Sequence, residues 1–288
     1  METYMLNAIL QSAILSVSIP VVLIVAWKLR THKSLVPFGC GILVFIAFAK
    51  VLEMIPHAVF LLPDTPIANF INNNIVCYVL YASLMAGLFE EVGRYVAFRF
   101  VLTKHTGKET AVTYGIGHGG IECVLVLGLT YFQYYAYGQL INNGSMDKML
   151  ASYSGDAASV EALNQLIDNI KGITQFTCYM ADLERVSALL VQIGLSILVF
   201  QAVHVAGKKY MLGVAIILHM LMDIPAAMYQ KGALGLVPTE IFLFVYGVCV
   251  LLFAVRIYST LDGDKSDKVT AEKKHELFRQ ANQSRKND

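Results

Sequence analysis

Seven ionisable side chains, grouped in three short motifs, are the part of this sequence equipped to do chemistry. Glu90, Glu91 and Arg94 stand in Phe89-Glu90-Glu91-Val92-Gly93-Arg94. His118 and Glu122 stand in Gly117-His118-Gly119-Gly120-Ile121-Glu122, and His219 and Asp223 in Leu218-His219-Met220-Leu221-Met222-Asp223. On a helix, residues three or four apart share a face. His118 therefore sits beside Glu122, and His219 beside Asp223. Arg94 can hold one of the two adjacent glutamates while the other faces the histidines. Imidazole and carboxylate groups converging in this way suit a divalent metal such as zinc, with one position open for water. A glutamate and a histidine can also polarise water without any metal. The spacing leaves both chemistries open.

The elements that must position these residues are membrane helices. The chain of 288 residues is 56% hydrophobic and 15% charged, whereas soluble domains carry about a quarter charged residues. Apolar runs long enough to span hydrocarbon recur along it. They predict an all-α polytopic bundle of seven helices, at roughly 5–27, 36–62, 73–102, 111–141, 183–206, 210–230 and 235–258. Residues 1–258 then form one transmembrane domain, with an external connection at about 142–182, and 259–288 form a charged cytoplasmic tail. The first run, Met5 to Trp27, lacks a basic leader and is too long for a signal-peptide core, so it reads as a retained helix. Lysine and arginine concentrate after helices 1, 3, 5 and 7. The positive-inside rule puts those loops in the cytoplasm and the N-terminus outside a cell membrane.

A charge at the centre of a membrane helix costs about 2.5–3.5 kcal/mol on insertion scales. Left unpaired, Glu90, Glu91, Arg94, Glu122 and Asp223 would together cost on the order of 10 kcal/mol, comparable to the stability of a whole domain. They must pair with one another, with water or with a metal. Depth brings the three motifs together. At about 1.5 Å per residue, Glu90 and Glu91 lie roughly 15–20 Å from the cytoplasmic edge, the two histidines roughly 11–14 Å, and Glu122 and Asp223 roughly 17–20 Å. Three helices thus deliver polar groups to one layer, which points to a functional site.

Other positions carry less. His204 either extends the site or sits at the headgroup level. Lys50 and Glu53 are spaced as an internal ion pair lining a cavity. Glu184 and Arg185 read as interfacial, and Pro56 and His57 as a kink without chemistry. Gly117, Gly119 and Gly120 allow close approach of either a neighbouring helix or a substrate backbone. Val160, Leu163, Ile167, Ile170 and Ile173 have helical spacing and predict an amphipathic helix in the external connection, on the bilayer or capping the bundle; an ordinary loop fits as well. The five cysteines are scattered one per segment and form no C-x-x-C pair. They indicate neither a disulfide framework nor a zinc knuckle.

Taken in order, Glu90-Glu91-x-x-Arg94, Tyr114-x-x-x-His118 and His219-x-x-x-Asp223 resemble the motifs of the CAAX-prenyl-protease and bacteriocin-processing (CPBP/Abi) intramembrane proteases. The Gly-His-Gly-Gly-Ile-Glu form, the short Glu-Glu-x-x-Arg and the long external connection look most like the YhfC branch of that superfamily. For that branch the resemblance covers nearly the whole chain. It implies hydrolysis of a peptide bond in or near the membrane. Glu90 would activate water, with Glu91 and Arg94 as its supporting pair. His118 and His219 would bind metal or water, and Asp223 would orient His219 or stabilise the oxyanion. The prenyl-protease pattern has one more residue between the glutamates and the arginine, and often asparagine where Asp223 stands. Glu122 is an extra carboxylate, taken here with His118 and His219 as a metal ligand, Zn2+ by donor type.

Three functions are therefore in play. The first is an intramembrane endopeptidase acting on a membrane-embedded or membrane-proximal peptide. The second is an ion- or proton-coupled transporter, in which Glu90, Glu91, Asp223 and Lys50 would relay protons or bind cations; no inverted repeat supports it. The third is a non-catalytic membrane scaffold on a protease fold. The partners expected are the lipid bilayer and a peptide substrate, with no nucleic acid.

Overall fold

A computed structural model of the chain describes residues 2–261. Among them no strand occurs, and seven helices are long and apolar enough to cross a bilayer. These are α1 (Thr3–Thr31), α2 (Val36–Phe60), α3 (Ile75–Val101), α4 (Glu109–Asn142), α5 (Gln175–His204), α6 (Met211–Gln230) and α7 (Leu236–Thr260). The protein is a multi-pass membrane protein. The tail expected over 259–288 lies, from residue 262 onward, outside the described residues.

The spans follow their apolar runs to within a few residues, with one exception. α5 begins at Gln175 rather than at 183. Its first turns hold Thr177, Asp182, Glu184 and Arg185, which depress the local hydropathy and hide the helix. The helix forms because these groups are satisfied. Thr174 and Thr177 make a reciprocal capping box, Ser12 on α1 donates to Asp182 at 2.9 Å, and Arg185 is ion-paired. The connection before α5 contains two helices, Ser145–Ser152 and Ala157–Gly172. The second carries the amphipathic pattern and buries Ile167 and Ile170 against the end of α4. Asp156 caps it, accepting from the backbone N–H groups of Ala158 and Ser159.

α5 is the hub of the bundle, packing on α7, α4, α6, α1 and α3. α1, α2 and α7 turn Val21, Val22, Leu43, Ile55, Val245 and Leu252 outward, as a lipid-facing surface requires. Phe98, Leu102, Tyr114, Leu195, Leu198 and Phe200 are fully or almost fully buried in one apolar cluster. These six residues lie toward the end of the bundle where α3 finishes and α4 starts.

The glycines of α4 serve helix packing. A Cβ on Gly117 would run into the carbonyl of Phe38 on α2, and one on Gly41 of α2 into the carbonyl of Tyr114. On other faces of α4, a Cβ on Gly115 would stand 2.7 Å from Cα of Ile193 on α5, and one on Gly120 2.8 Å from Pro20 on α1. Three helices thereby press on the segment that carries His118. Gly117→Ala is expected to destabilise the protein by about 1–3 kcal/mol, read as a lower thermal midpoint in detergent. Gly39→Ala, whose Cβ meets nothing within 4 Å, should stay within about 0.5 kcal/mol of wild type.

Three spans contain π-helical turns, at Ile46–Leu52, Ala97–Val101 and Val124–Gly128. Such insertions re-aim the side chains around them and recur at functional sites. Here they fall within a few residues of Glu53, Arg94 and Glu122.

Candidate active site

α3 supplies the centre of the cluster. Glu91 and Arg94 are completely buried and ion-paired, Nη1 to Oε1 at 3.1 Å. The i, i+3 partner thus takes the arginine, and Glu90 is left to face the histidines. Glu90 Oε2 lies 2.8 Å from His118 Nε2 on α4 and 3.8 Å from His219 Nε2 on α6. His219 presents its other nitrogen, Nδ1, to Glu91 Oε1 at 2.7 Å. When Nδ1 carries the proton and donates it to Glu91, Nε2 keeps its lone pair directed at Glu90 and Asp223. Asp223 Oδ2 is 3.6 Å from that Nε2. On the far side of His118, the Tyr114 hydroxyl stands 3.5 Å from Nδ1, and the Phe45 ring meets the imidazole edge-on at 5.1 Å.

Sequence reasoning missed the residue that ties these pieces together. Gln192 on α5 donates through Nε2 to Glu90 Oε2 at 3.0 Å and to Glu122 Oε2 at 2.8 Å. Its carbonyl accepts from Arg94 Nη2. It is buried among apolar neighbours on α5. A search for intramembrane charges passes over an uncharged amide. The available signal was a lone glutamine in the middle of the most apolar stretch of that span.

Some expectations need correction. Arg185, read as interfacial, is buried at 7% exposure and reaches Glu122 at 3.2 Å and Glu184 at 2.6 Å; the early start of α5 places it inside the bundle. Glu122, expected beside His118 as a ligand, instead gives its two oxygens to Arg185 and Gln192. Lys50 does not pair with Glu53; its ammonium lies over the Phe45 ring at 5.2 Å. Glu53 pairs with His57 at 3.3 Å, and the other nitrogen of His57 meets the Tyr81 hydroxyl at 3.2 Å. His204 stacks on Phe200 at 4.0 Å and contacts its carbonyl, one turn along its own helix and apart from the cluster.

A cavity of about 420 Å³ opens onto the cluster. Glu90, His219 and Asp223 lie at its inner end, Glu53 and His57 partway along, and Leu61, Tyr78 and Gln230 at the end of the bundle where α1 begins. The apolar cluster described above lies toward the opposite end.

Among the described residues, no three or more His, Cys, Asp or Glu side chains form a group placed to hold a metal ion. The cluster does contain imidazole and carboxylate groups, donor types that divalent cations take. Each imidazole turns Nδ1 to a second polar group and Nε2 to the centre, the arrangement metal-binding histidines adopt. Asp223 Oδ2 is buried with no hydrogen-bond partner among the described residues.

A family model described as YhfC intramembrane metalloprotease matches residues 15–243. The chain is 35% identical over 214 residues to an "uncharacterized membrane protein YhfC" of Bacillus subtilis (strain 168), covering 74% of this chain and 81% of that one. No solved structure matches. The chain belongs to the YhfC family.

Proposed function

We propose that this member of the YhfC family is an intramembrane endopeptidase that hydrolyses a peptide bond of a membrane-embedded or membrane-proximal segment held in the cavity. One observation carries the reading. Glu90, a carboxylate at the cavity's inner end, is aimed by His118 and Gln192 and faces His219. In this reading Glu90 takes a proton from water as the water oxygen attacks the scissile carbonyl carbon. The same proton passes to the amide nitrogen as the C–N bond breaks. Glu91 fixes the His219 ring through Nδ1, and Arg94 neutralises Glu91 so that two adjacent glutamates can share one buried layer.

By donor type, though not as a preformed group of three ligands, these residues suit a divalent cation such as zinc. His118, His219 and Asp223 would hold it, and it would supply Lewis-acid polarisation of water or carbonyl. Asp223 replaces Glu122 in that set because Arg185 and Gln192 occupy Glu122. Elemental mass spectrometry of detergent-purified protein tests it. About one zinc per chain is expected in wild type and in Glu122→Gln, with loss in His118→Ala and His219→Ala. Wild type without metal under metal-replete preparation would overturn the cation and leave the glutamate–histidine pair to activate water. Hydrolysis itself is tested by Glu90→Gln against a reconstituted membrane substrate.

A further inference from the structure

A second cavity, of about 310 Å³, adjoins the first near the end of the bundle where α1 begins. The two share Glu184, Ala226 and Gln230 in their walls. Its polar lining includes Tyr131, Thr177, Thr239 and two carboxylates, Glu184 and Glu240, and no lysine, arginine or histidine lines it. Glu184 is ion-paired to Arg185. Among the described residues Glu240 has no ion-pair partner. It is only 3% exposed, and its Oε2 is buried with no hydrogen-bond partner among the described residues. A buried carboxylate left in this condition is costly unless a cation or donor completes it. Among the described residues, nearby Arg185 already serves Glu122 and Glu184.

We propose that this chamber is a cation-recognition subsite: Glu240 and Glu184 receive a guanidinium or ammonium group of the polypeptide that occupies the adjoining cavity. The source of that cation rests on the endopeptidase reading; the cation site does not. Tyr131, Thr239 and Gln230 offer further oxygen acceptors suited to the several N–H groups of such a ligand. The two cavities share walls at Glu184, Ala226 and Gln230, so the substrate class is a membrane segment with a basic residue, or a free amino terminus, near the scissile bond.

The test uses full-length protein in detergent and fluorescence anisotropy of labelled apolar peptides, on a Glu90→Gln background so that nothing is cleaved. One peptide is acetylated and carries a single arginine, the second has citrulline in its place, and the third has a free amino terminus and no arginine. The arginine peptide should bind about ten- to a hundredfold tighter than the citrulline peptide. That ratio should fall to about one when Glu240→Gln is added. The third peptide shows whether an amino terminus serves as well. In parallel, n-butylguanidinium is titrated calorimetrically into wild type and Glu240→Gln. Binding to wild type alone, with no discrimination among peptides, would keep the cation site and remove the polypeptide as its source. Equal binding of arginine and citrulline peptides together with no butylguanidinium binding would overturn the proposal. The ligand comparison on unaltered Glu240 decides it even if Glu240→Gln fails to fold.

Discussion

Glu90→Gln should yield a folded, membrane-inserted protein whose hydrolysis of a reconstituted transmembrane peptide is reduced by about 10²–10⁴-fold, the contribution of a positioned general base. Glutamine has nearly the same shape as glutamate, and its amide can still engage His118 and Gln192, which bracket Glu90 Oε2 at 2.8 and 3.0 Å. Packing is therefore kept while the proton acceptor is lost. The loss should appear in kcat with KM little changed, because the missing interaction belongs to the transition state. Glu90→Asp, which keeps the charge but withdraws it by one methylene, should recover part of the rate. Product is read by mass spectrometry of proteoliposomes. Cleavage by Glu90→Gln at the wild-type rate would end the endopeptidase reading. A transporter would instead lose ion-coupled uptake, and a scaffold would lose neither activity.

The placement of Glu90 also shows how much of this protein is legible in its sequence. The seven spans and the layer shared by Glu90, His118 and His219 follow from hydropathy and the rise per residue, because a bilayer punishes buried charge heavily enough to make such groups stand out. The choice of Arg94 for Glu91 over Glu90 was not legible. Both spacings permit a pair, and the outcome depends on which side α5 and α6 approach. Gln192 was hidden because an amide costs too little to stand out. Arg185 and Glu122 were misplaced for a linked reason. The polar first turns of α5 disguise a helix that is satisfied by its own capping box and by contacts with α1 and α4, and the tertiary contacts have no signature in local hydropathy. The glycines around His118 were ambiguous between ligand approach and packing, and the backbone of α2 and side chains of α5 and α1 occupy their faces.

Arg94→Leu should be the most destabilising single change in the cluster, by about 3–5 kcal/mol. Arg94 and Glu91 are both entirely buried, and removing the guanidinium leaves Glu91 with only His219 against it and leaves the Gln192 carbonyl without its donor. The measurement is thermal unfolding in detergent together with the yield of monodisperse protein. Arg94→Lys should recover only part of the loss, since a single ammonium lacks the planar fork that serves Glu91 and Gln192 together. The double variant Arg94→Leu/Glu91→Leu should regain most of the stability, because a buried ion pair exchanged for apolar groups of similar volume is often close to neutral. It should not regain activity. Without Glu91, His219 Nδ1 has no carboxylate to fix its tautomer, and its Nε2 no longer has a reason to face Glu90. Recovery of both stability and hydrolysis in the double variant would mean that the pair is a structural cross-link alone. Recovery of stability without hydrolysis would separate the two roles, with Arg94 neutralising Glu91 and Glu91 aiming the histidine.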